Sequence, residues 1–582
     1  MRVIRQIWPW ARKYRHFAIA SVIATTVQVA INLIIPLLTS RVIDRGIGGE
    51  DSGFVVRTGL IMIGLIIFGM ICSAASSVFG VRLSFNTVTD LRRDLFDRTQ
   101  DLSFANLDEL SSGEILTRLS SDMTRVTMLV AMGVGFLTQI GFTFFGALIA
   151  ILSIDPSLVV IVAVMVPVIA GFVAFVIANS NVLYGLVQEQ IDRLNTVLQE
   201  SIHGAEVIKA FVRQDHQIER FDETVDELAE RSIKVNQLVA ALFPTLIAVS
   251  SLGVAAVIWL GGISVIEDRL TEGELVAFIS YMALVSFPMM MFAFIQPTIS
   301  AASASLNRII EVLDAEPAVA SASAALSVEL PEPGAVRFDG VSFRYGAAGS
   351  DDAEGLALHN IDLDISPGST VAILGATGSG KSSLVHLVPR FYDTTTGTVS
   401  VGGLDVRSLP KRVLRHHVGI ALQQPELFSG TVKDNLRFGA PNATDEDLVA
   451  AAKAAQAHDF ITEMPNGYDA TVEQSGANLS GGQRQRLAIA RTLAAKPSVL
   501  ILDDSTSAVD LETEAHIQDA LRSFGETTVI LVAQRISSAL GADMIVVLDD
   551  GEIAARGTHA ELLVESSIYQ DIYRSQLGAL PA

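Results

Sequence analysis

Long apolar runs separated by polar stretches occupy the first half of the chain. Each run is long enough for an α-helix to cross the hydrocarbon core of a bilayer, which takes about 20 apolar residues. The pattern predicts six membrane-spanning helices, at residues 17–39, 60–79, 127–152, 158–179, 239–265 and 275–295. Basic residues without an acidic one precede the first run, so we expect the N-terminus on the cytoplasmic side of the membrane.

Two of the polar stretches between the spans have the periodicity of amphipathic helices. Residues 80–126 separate the second and third spans, and residues 180–238 separate the fourth and fifth, whereas little more than residues 155–157 joins the third and fourth. Half of either long loop would project about 35–45 Å into the cytoplasm as a helix. The pattern therefore predicts two helical levers whose tips touch the soluble part of the protein.

The second half of the chain has an α/β pattern. Residues 315–334 are rich in Ala, Ser and Pro, which is typical of a linker. Short apolar runs at residues 371–374, 499–502, 529–532 and 545–548 then alternate with helical stretches. The sequence therefore predicts an all-α transmembrane domain at residues 1–314 and an α/β domain with a mostly parallel sheet at residues 335–582.

Composition and charge narrow the function classes. Half of the 582 residues are hydrophobic, in agreement with the predicted spans, and the net charge of −22 argues against nucleic-acid binding. The single cysteine, Cys72, excludes an intrachain disulfide and a cysteine-cluster metal site. No Asp, Glu, Lys or Arg lies within the predicted spans, which disfavours an ion-coupled transporter.

The stretch GATGSGKS, at residues 375–382, matches the phosphate-binding pattern G-x-x-x-x-G-K-[ST] and follows a predicted strand. Its glycines can turn backbone N–H groups towards phosphate oxygens at the positive end of the next helix. We expect Lys381 to reach the terminal phosphates and Ser382 to bind Mg²⁺. The predicted nucleotide-binding residues here are Gly375, Ala376, Thr377, Gly378, Ser379, Gly380, Lys381, Ser382 and Ser383.

Two further motifs support a nucleotide site. The apolar strand at residues 499–502 is followed by Asp503, as in P-loop proteins that hold Mg²⁺ opposite the phosphates. LSGGQ, at residues 479–483, precedes an arginine-rich helix, where its glycines form a second backbone anion site. This second site points to a nucleotide held by a neighbouring subunit. Its predicted ligand residues are Ser480, Gly481, Gly482 and Gln483.

Together these motifs resemble the nucleotide-binding domain of ATP-binding cassette (ABC) transporters, and the six spans resemble the membrane domain of an exporter-type half transporter. Residues 104–122 and 206–221 are similar to the family's two cytoplasmic loops. The resemblance implies ATP and Mg²⁺ as cofactors. It also implies a dimer in which each ATP lies between the P-loop of one subunit and the LSGGQ of the other. The loop tips, near residues 108–112 and 211–216, would contact the nucleotide domains.

The resemblance implies roles for further residues. Tyr345, in VSFRYG, would stack on adenine. Gln423, in ALQQPELF, would link Mg²⁺ and the attacking water to the cytoplasmic loops. Residues 507–510 would cross the dimer interface. These roles would make Ser382, Gln423 and Asp503 the metal-binding set.

Three positions depart from the family pattern. Asp504 stands where the family has a catalytic glutamate, Gln534 where it has a switch histidine, and Gln474 where a glutamate is usual before LSGGQ. A carboxylate set back by about an ångström can cost about 10²-fold in rate, and glutamine cannot titrate. These changes resemble the degenerate half of a heterodimeric exporter. We therefore expect Asp504, Gln534 and Gln423 to form a slow catalytic site, completed by a second half transporter.

The expected function is ATP-driven export or flipping of a hydrophobic or amphiphilic compound, lipid or drug-like, across the plasma (inner) membrane. Three methionines near Phe292 and Phe294 favour an adaptable apolar lining: Met289, Met290 and Met291. The alternatives are a homodimeric exporter with Asp504 as the catalytic carboxylate, an exporter-fold importer, and an ATP-gated membrane regulator or channel. A soluble DNA-repair or chromosome ATPase is excluded by the spans and the acidity.

Overall fold

The computed structural model describes residues 2–320, 329–346, 355–522 and 526–577, apart from certain side chains in two helices. Those side chains belong to Arg2, Val3, Ile4, Phe287, Met289, Met290, Phe292, Ala293, Phe294, Gln296 and Pro297. The chain forms two compact units. One comprises Met1–Gln100 and Gly113–Asp314, and the other comprises Asp101–Ser112 and Ala315–Ala582.

The first unit is built from long helices, as the apolar runs predict. With the short α4, which belongs to the second unit, the helices in this part of the chain are α1 (Arg2–Ala11), α2 (Arg15–Arg41), α3 (Ser52–Asp101), α4 (Phe104–Glu109), α5 (Ser112–Thr117), α6 (Met123–Ile154), α7 (Val159–His203), α8 (Ala205–Ala210), α9 (Gln214–Ala240), α10 (Leu242–Ile266) and α11 (Glu272–Asp314). Because α3, α7 and α9 run through the polar stretches, the prediction of helical loops is confirmed.

Within the described residues, five helical segments are long and apolar enough to cross a membrane. They are Arg5–Ile47, Ser52–Asp101, Ser112–Ile154, Pro156–His203 and Gln214–Ile266. Each contains one of the first five predicted spans. The sixth predicted span, at residues 275–295, lies within α11, where several side chains are outside the described set. The predicted methionine and phenylalanine lining falls largely on those side chains.

The membrane unit has a packed apolar core and an apolar outer surface. Ile151, Ile169, Val257 and Phe278 are buried where α6, α7, α10 and α11 pack together. Large apolar side chains of α3, such as Ile63, point outward, as expected of a surface that faces lipid rather than water.

An ion pair between a buried carboxylate and a partly exposed arginine joins α11 to the residue that precedes α6. Asp122 is fully buried and accepts hydrogen bonds from Arg308 Nε (2.9 Å) and Ser305 Oγ (2.8 Å). A buried carboxylate is costly unless charges and donors surround it. This pair therefore fixes how the two helices meet.

The second unit contains two main sheets. Its strands are β1 (Val336–Phe343), β2 (Leu358–Ile365), β3 (Thr370–Gly375), β4 (Thr396–Val401), β5 (Leu404–Asp405), β6 (Val418–Ala421), β7 (Gly430–Thr431), β8 (Thr471–Val472), β9 (Val499–Asp503), β10 (Thr528–Val532), β11 (Met544–Asp549) and β12 (Glu552–Gly557). Its further helices are α12 (Lys381–Leu387), α13 (Lys411–His417), α14 (Val432–Arg437), α15 (Asp445–Ala454), α16 (His458–Glu463), α17 (Gly481–Ala494), α18 (Leu511–Arg522), α19 (Ile536–Ala539), α20 (His559–Glu565) and α21 (Ser567–Leu577).

The larger sheet has the strand order β12-β11-β3-β10-β9-β6 and is parallel except at the β11–β12 edge. The four predicted strands are its β3, β9, β10 and β11. All five residues of β9 are buried, as expected of a strand covered on both faces. The order β2-β1-β4-β5 forms a separate antiparallel sheet. The predicted α/β domain is thereby confirmed.

Candidate nucleotide site

Four neighbouring strands of the parallel sheet end at one edge, and a predicted site residue lies at or just beyond the end of each of them. The P-loop follows β3, Gln534 lies two residues after β10, Asp503 ends β9, and Gln423 lies two residues after β6. The carboxyl ends of parallel strands are where open α/β sheets bind ligands. The strand order therefore gathers residues that lie more than 150 positions apart in sequence.

The P-loop requires glycine at specific positions. Gly375, Gly378 and Gly380 have φ angles of 152°, 88° and 94°. A Cβ at Gly375 would overlap the carbonyl oxygen of Leu548, and one at Gly380 would lie 2.7 Å from the carbonyl oxygen of Ala357. Conformation and space thus both exclude larger residues at these two glycines. The loop leads directly into α12, whose N-terminal N–H groups favour an anion.

Lys381 lies inside the curve of the loop. Its Nζ donates to the carbonyl oxygens of Gly375 (2.9 Å) and Ala376 (2.6 Å). Burial lowers the pKa of the Lys381 ammonium, and the nearby carboxylates of Asp504 and Asp503 act in the opposite direction. The structure thus holds a partly buried cation where the loop would meet phosphate.

Hard oxygen ligands lie beside the loop. Ser382 Oγ donates to Asp503 Oδ1 at 3.0 Å. A hydroxyl and a carboxylate at this separation are the donor set that Mg²⁺ prefers, so the residues fit the predicted metal. His386, one turn after Ser382 on α12, places Nε2 3.3 Å from the other oxygen of Asp503.

The carboxylate of Asp504 binds both predicted glutamines. Its Oδ2 accepts from Gln423 Nε2 at 3.1 Å and from Gln534 Nε2 at 2.7 Å. Burial raises the pKa of Asp504 and the charge of Asp503 adds to this, whereas the bond from Gln423 lowers it. The three side chains therefore form one hydrogen-bonded group at the ends of β6, β9 and β10.

Tyr345 lies beside the P-loop helix. Its Oη is 2.9 Å from Ser383 Oγ, and its ring packs edge-on against Phe343 and Tyr392, with centroids 4.8 and 5.2 Å away. The residue remains 45% exposed. An anchored ring with an exposed face is suited to stacking on a planar base.

The LSGGQ residues contact a different part of the unit. Ser480 caps α17 through a reciprocal pair with Gln483, with Ser480 Oγ accepting from Gln483 N at 3.2 Å and Gln483 Oε1 accepting from Ser480 N at 2.9 Å. Gly482 lies close to the carbonyl of Ala508, in the stretch predicted to cross a dimer interface. This region is therefore a structured helix N-terminus. Gln474 is exposed in the turn Gln474–Gly476 that precedes it.

The tip of the first cytoplasmic loop packs within the second unit. Phe104 of α4 stacks on Phe391, with ring centroids 4.2 Å apart. Tyr392 Oη donates to Asp108 Oδ2 at 2.7 Å. Burial and the Asp108 carboxylate both raise the pKa of Tyr392. The tip of the second loop belongs to the first unit, where Phe211 is exposed.

Two residues that were not predicted from the sequence lie among the motifs. His386 lies beside Asp503, and the signal was available because it is four residues after Ser382 and hence on the same helix face. Gln485 Oε1 accepts from Ala508 N at 2.9 Å, and its Nε2 donates to Ser507 Oγ at 3.3 Å. It ties α17 to the predicted interface loop, and no sequence signal indicated this contact.

Comparison with known proteins identifies the family and the fold of the chain. The model of the ABC transporter transmembrane region matches residues 18–289, and that of the ABC transporter domain matches residues 358–507. YfiB of Bacillus subtilis (strain 168), named as an uncharacterized ABC transporter ATP-binding protein, is 36% identical over 97% of both chains. YgaD of the same organism, whose name proposes multidrug export, is 33% identical over 99% of this chain and 100% of its own. A bacterial Atm1-family ABC exporter with ATP bound has a TM-score of 0.82 at 24% identity, over 98% of this chain and 99% of that one.

The chain belongs to the ABC transporter family. It is a multi-pass membrane protein with a cytoplasmic nucleotide-binding domain that binds and hydrolyses ATP, and its fold is that of the exporter type. One membrane region and one nucleotide-binding domain make a half transporter, which acts with a partner subunit.

Proposed function

We propose that this chain is one half of a heterodimeric exporter that moves a hydrophobic or amphiphilic compound outward, and that its own P-loop site hydrolyses ATP slowly. The observation that carries the proposal is the hydrogen-bonded group of Asp504, Gln423 and Gln534. Both glutamines donate to the same oxygen of the aspartate that stands in the position of the catalytic carboxylate.

The chemistry of this group explains a slow site. The Asp504 side chain is one methylene shorter than glutamate, so its carboxylate lies back from an attacking water bound at the γ-phosphate. Gln534 can donate a hydrogen bond to phosphate but cannot exchange a proton near neutral pH. The site therefore lacks both the longer carboxylate of a glutamate and the titratable imidazole of a histidine. Nucleotide binding at this site is supported by Lys381 Nζ, which lies against a carbonyl of the P-loop, and by Tyr345, which lies beside Ser383.

The other predicted residues of the site would bind the nucleotide and its metal ion. Lys381 would exchange its loop carbonyls for the terminal phosphate oxygens, and Tyr345 would stack on the adenine. Ser382, Asp503 and the amide oxygen of Gln423 would hold Mg²⁺, whose charge neutralises phosphate oxygens. Residues 480–483, at the capped N-terminus of α17, would contact a nucleotide bound by the partner subunit. The partner would supply the glutamate and histidine of the active site there.

The proposed class of cargo is supported by the membrane unit and by one relative. The predicted spans contain no charged residue, so a strongly ionic cargo would find no counter-charge there. YgaD is similar along nearly the whole chain, and its name proposes multidrug export. These observations favour an amphiphilic or lipid-like cargo and outward movement.

The test is ATPase activity of the purified chain, alone and with candidate partner half transporters. We expect almost no turnover alone, restored turnover with the partner, and a further rise on D504E combined with Q534H. Lys381→Ala measures the background. Brisk turnover by the chain alone would instead favour a homodimer with Asp504 as the catalytic carboxylate. Sealed vesicles separate the remaining alternatives, since a pump builds a gradient in one direction whereas a gate only equilibrates.

A further inference from the structure

The last described helix contacts the segment that carries Gln534. Helix α21 is anchored by Tyr569, which is fully buried and whose Oη lies 2.7 Å from His559 Nδ1. Near the end of α21, Gln576 Oε1 accepts from Ile536 N at 2.7 Å, and Gln576 Nε2 donates to Gln534 O at 2.9 Å. One side-chain amide thus binds the backbone on both sides of Arg535.

The segment needs such support because the sheet ends before it. The bond from Ala533 N to Ile373 O (3.1 Å) is the last that joins this part of the chain to β3. Helix α19 then begins at Ile536, and the first N–H groups of a helix have no partner within it. Gln576 satisfies one of these N–H groups and also the carbonyl of Gln534.

We infer that Gln576 is a positioning residue for the nucleotide site: it fixes the backbone of residues 534–536 so that the Gln534 side chain stays on Asp504. The 2.7 Å bond between Gln534 Nε2 and Asp504 Oδ2 depends on where the Gln534 backbone lies, and Gln576 holds that backbone at its carbonyl. The catalytic role of Gln534 rests on the proposed function above. The inference makes α21 a determinant of hydrolysis, although Gln576 itself touches no reacting group.

The test compares two variants with a matched control on the same helix. Gln576→Ala removes both bonds, whereas Gln576→Glu keeps an acceptor for Ile536 N but loses the donor to Gln534 O. Arg574→Ala is the control, because Arg574 pairs with Asp571 on the exposed side of α21. Single-turnover hydrolysis, ATP affinity and hydrogen exchange at Ile536 are measured on the full chain in detergent.

We expect both Gln576 variants to lower the single-turnover rate about five- to tenfold, the effect of losing one or two hydrogen bonds, with ATP affinity unchanged. The Ile536 amide should exchange faster in Gln576→Ala but remain protected in Gln576→Glu. In a Gln534→Ala background, Gln576→Ala should have no further effect, because coupled residues are not additive. The control should match the wild type.

Four results would overturn the inference: an equal loss in Arg574→Ala, a parallel loss of ATP affinity, additive effects with Gln534→Ala, or unchanged exchange at Ile536 in Gln576→Ala. All comparisons are ratios to the wild type. Brisk wild-type turnover would therefore refute the proposed slow site. The comparison of the Gln576 variants with the wild type would still test the role of Gln576.

Discussion

Gln534 Nε2 and Asp504 Oδ2 are 2.7 Å apart, although 30 positions separate the two residues. Asp504 follows β9 directly, and Gln534 lies two residues beyond β10, the neighbouring parallel strand. The backbone supports the contact, because Asp504 N donates to Val532 O at 3.2 Å. Two of the three positions that depart from the family pattern are thus direct neighbours, and a change at one alters the surroundings of the other.

Replacing Asp504 by Asn should stop the residual hydrolysis while ATP still binds. The amide keeps the shape of the carboxylate but loses its charge and basicity, and losing a general base costs about 10²-fold or more. Single-turnover hydrolysis and nucleotide affinity of the purified chain measure the two effects. Asp519→Asn, at an exposed position on α18 paired with Arg522, serves as the control. Unchanged hydrolysis in Asp504→Asn would show that Asp504 is not the catalytic carboxylate.

The P-loop glycines should differ in their tolerance of alanine. Gly375→Ala places a Cβ against the backbone of Leu548 in β11, so we expect loss of folded protein as well as of ATP binding. At Gly378 the space is open but φ is +88°, so alanine there should cost about 1 kcal/mol of strain and leave the protein folded. Gly113→Ala, with open space on a helix, should be neutral. Detergent-solubilised yield and ATP affinity distinguish these cases, and equal effects at Gly375 and Gly378 would contradict this explanation.

The bond between Tyr392 and Asp108 should help to hold the first loop tip in its place. Tyr392→Phe removes the donor and keeps the ring, and Asp108→Asn weakens the acceptor. A hydrogen bond to a charged group contributes about 1.5–3 kcal/mol, so each variant should reduce cargo-stimulated ATPase. The double variant should lose little more than either single one. Fully additive losses would mean that the two side chains act independently.

Breaking the pair between buried Asp122 and partly exposed Arg308 should destabilise the membrane unit. Arg308→Ala leaves the buried carboxylate of Asp122 with Ser305 and the more distant Arg125 as partners, at a cost of about 1.5–3 kcal/mol, the contribution of a hydrogen bond to a charged group. Removing both side chains should recover part of that loss, because no uncompensated charge then remains. The control is Arg269→Ala, which breaks an exposed pair with Glu267 and should cost less than about 1 kcal/mol. Denaturant unfolding of the full chain in detergent measures the free energy of unfolding of all three variants. A double variant less stable than Arg308→Ala would refute the role of the uncompensated charge.

Much of the architecture could be predicted from local sequence. Apolar runs of helical length identify the membrane unit, and the buried strands β3, β9, β10 and β11 lie where short apolar runs occur, because burial on both faces requires uninterrupted apolar residues. The glycine-rich loop at residues 375–382 was also predictable, because its backbone requires glycine at specific positions. Gly375 and Gly380 have backbone angles and close contacts that other residues cannot accommodate.

The tertiary structure alone decided which of these residues meet. The order β3-β10-β9-β6 places Gln534 and Gln423 on the same oxygen of Asp504, and strand order depends on packing of the whole domain rather than on local pattern. The same holds for Gln576, which reaches Gln534 from 42 positions away. The predicted nucleotide-binding residues could be identified from the sequence, because phosphate binding needs particular side chains and backbone angles. Their mutual contacts exist only in the folded domain, because hydrogen bonds between distant segments form only when the sheet aligns the ends of its strands.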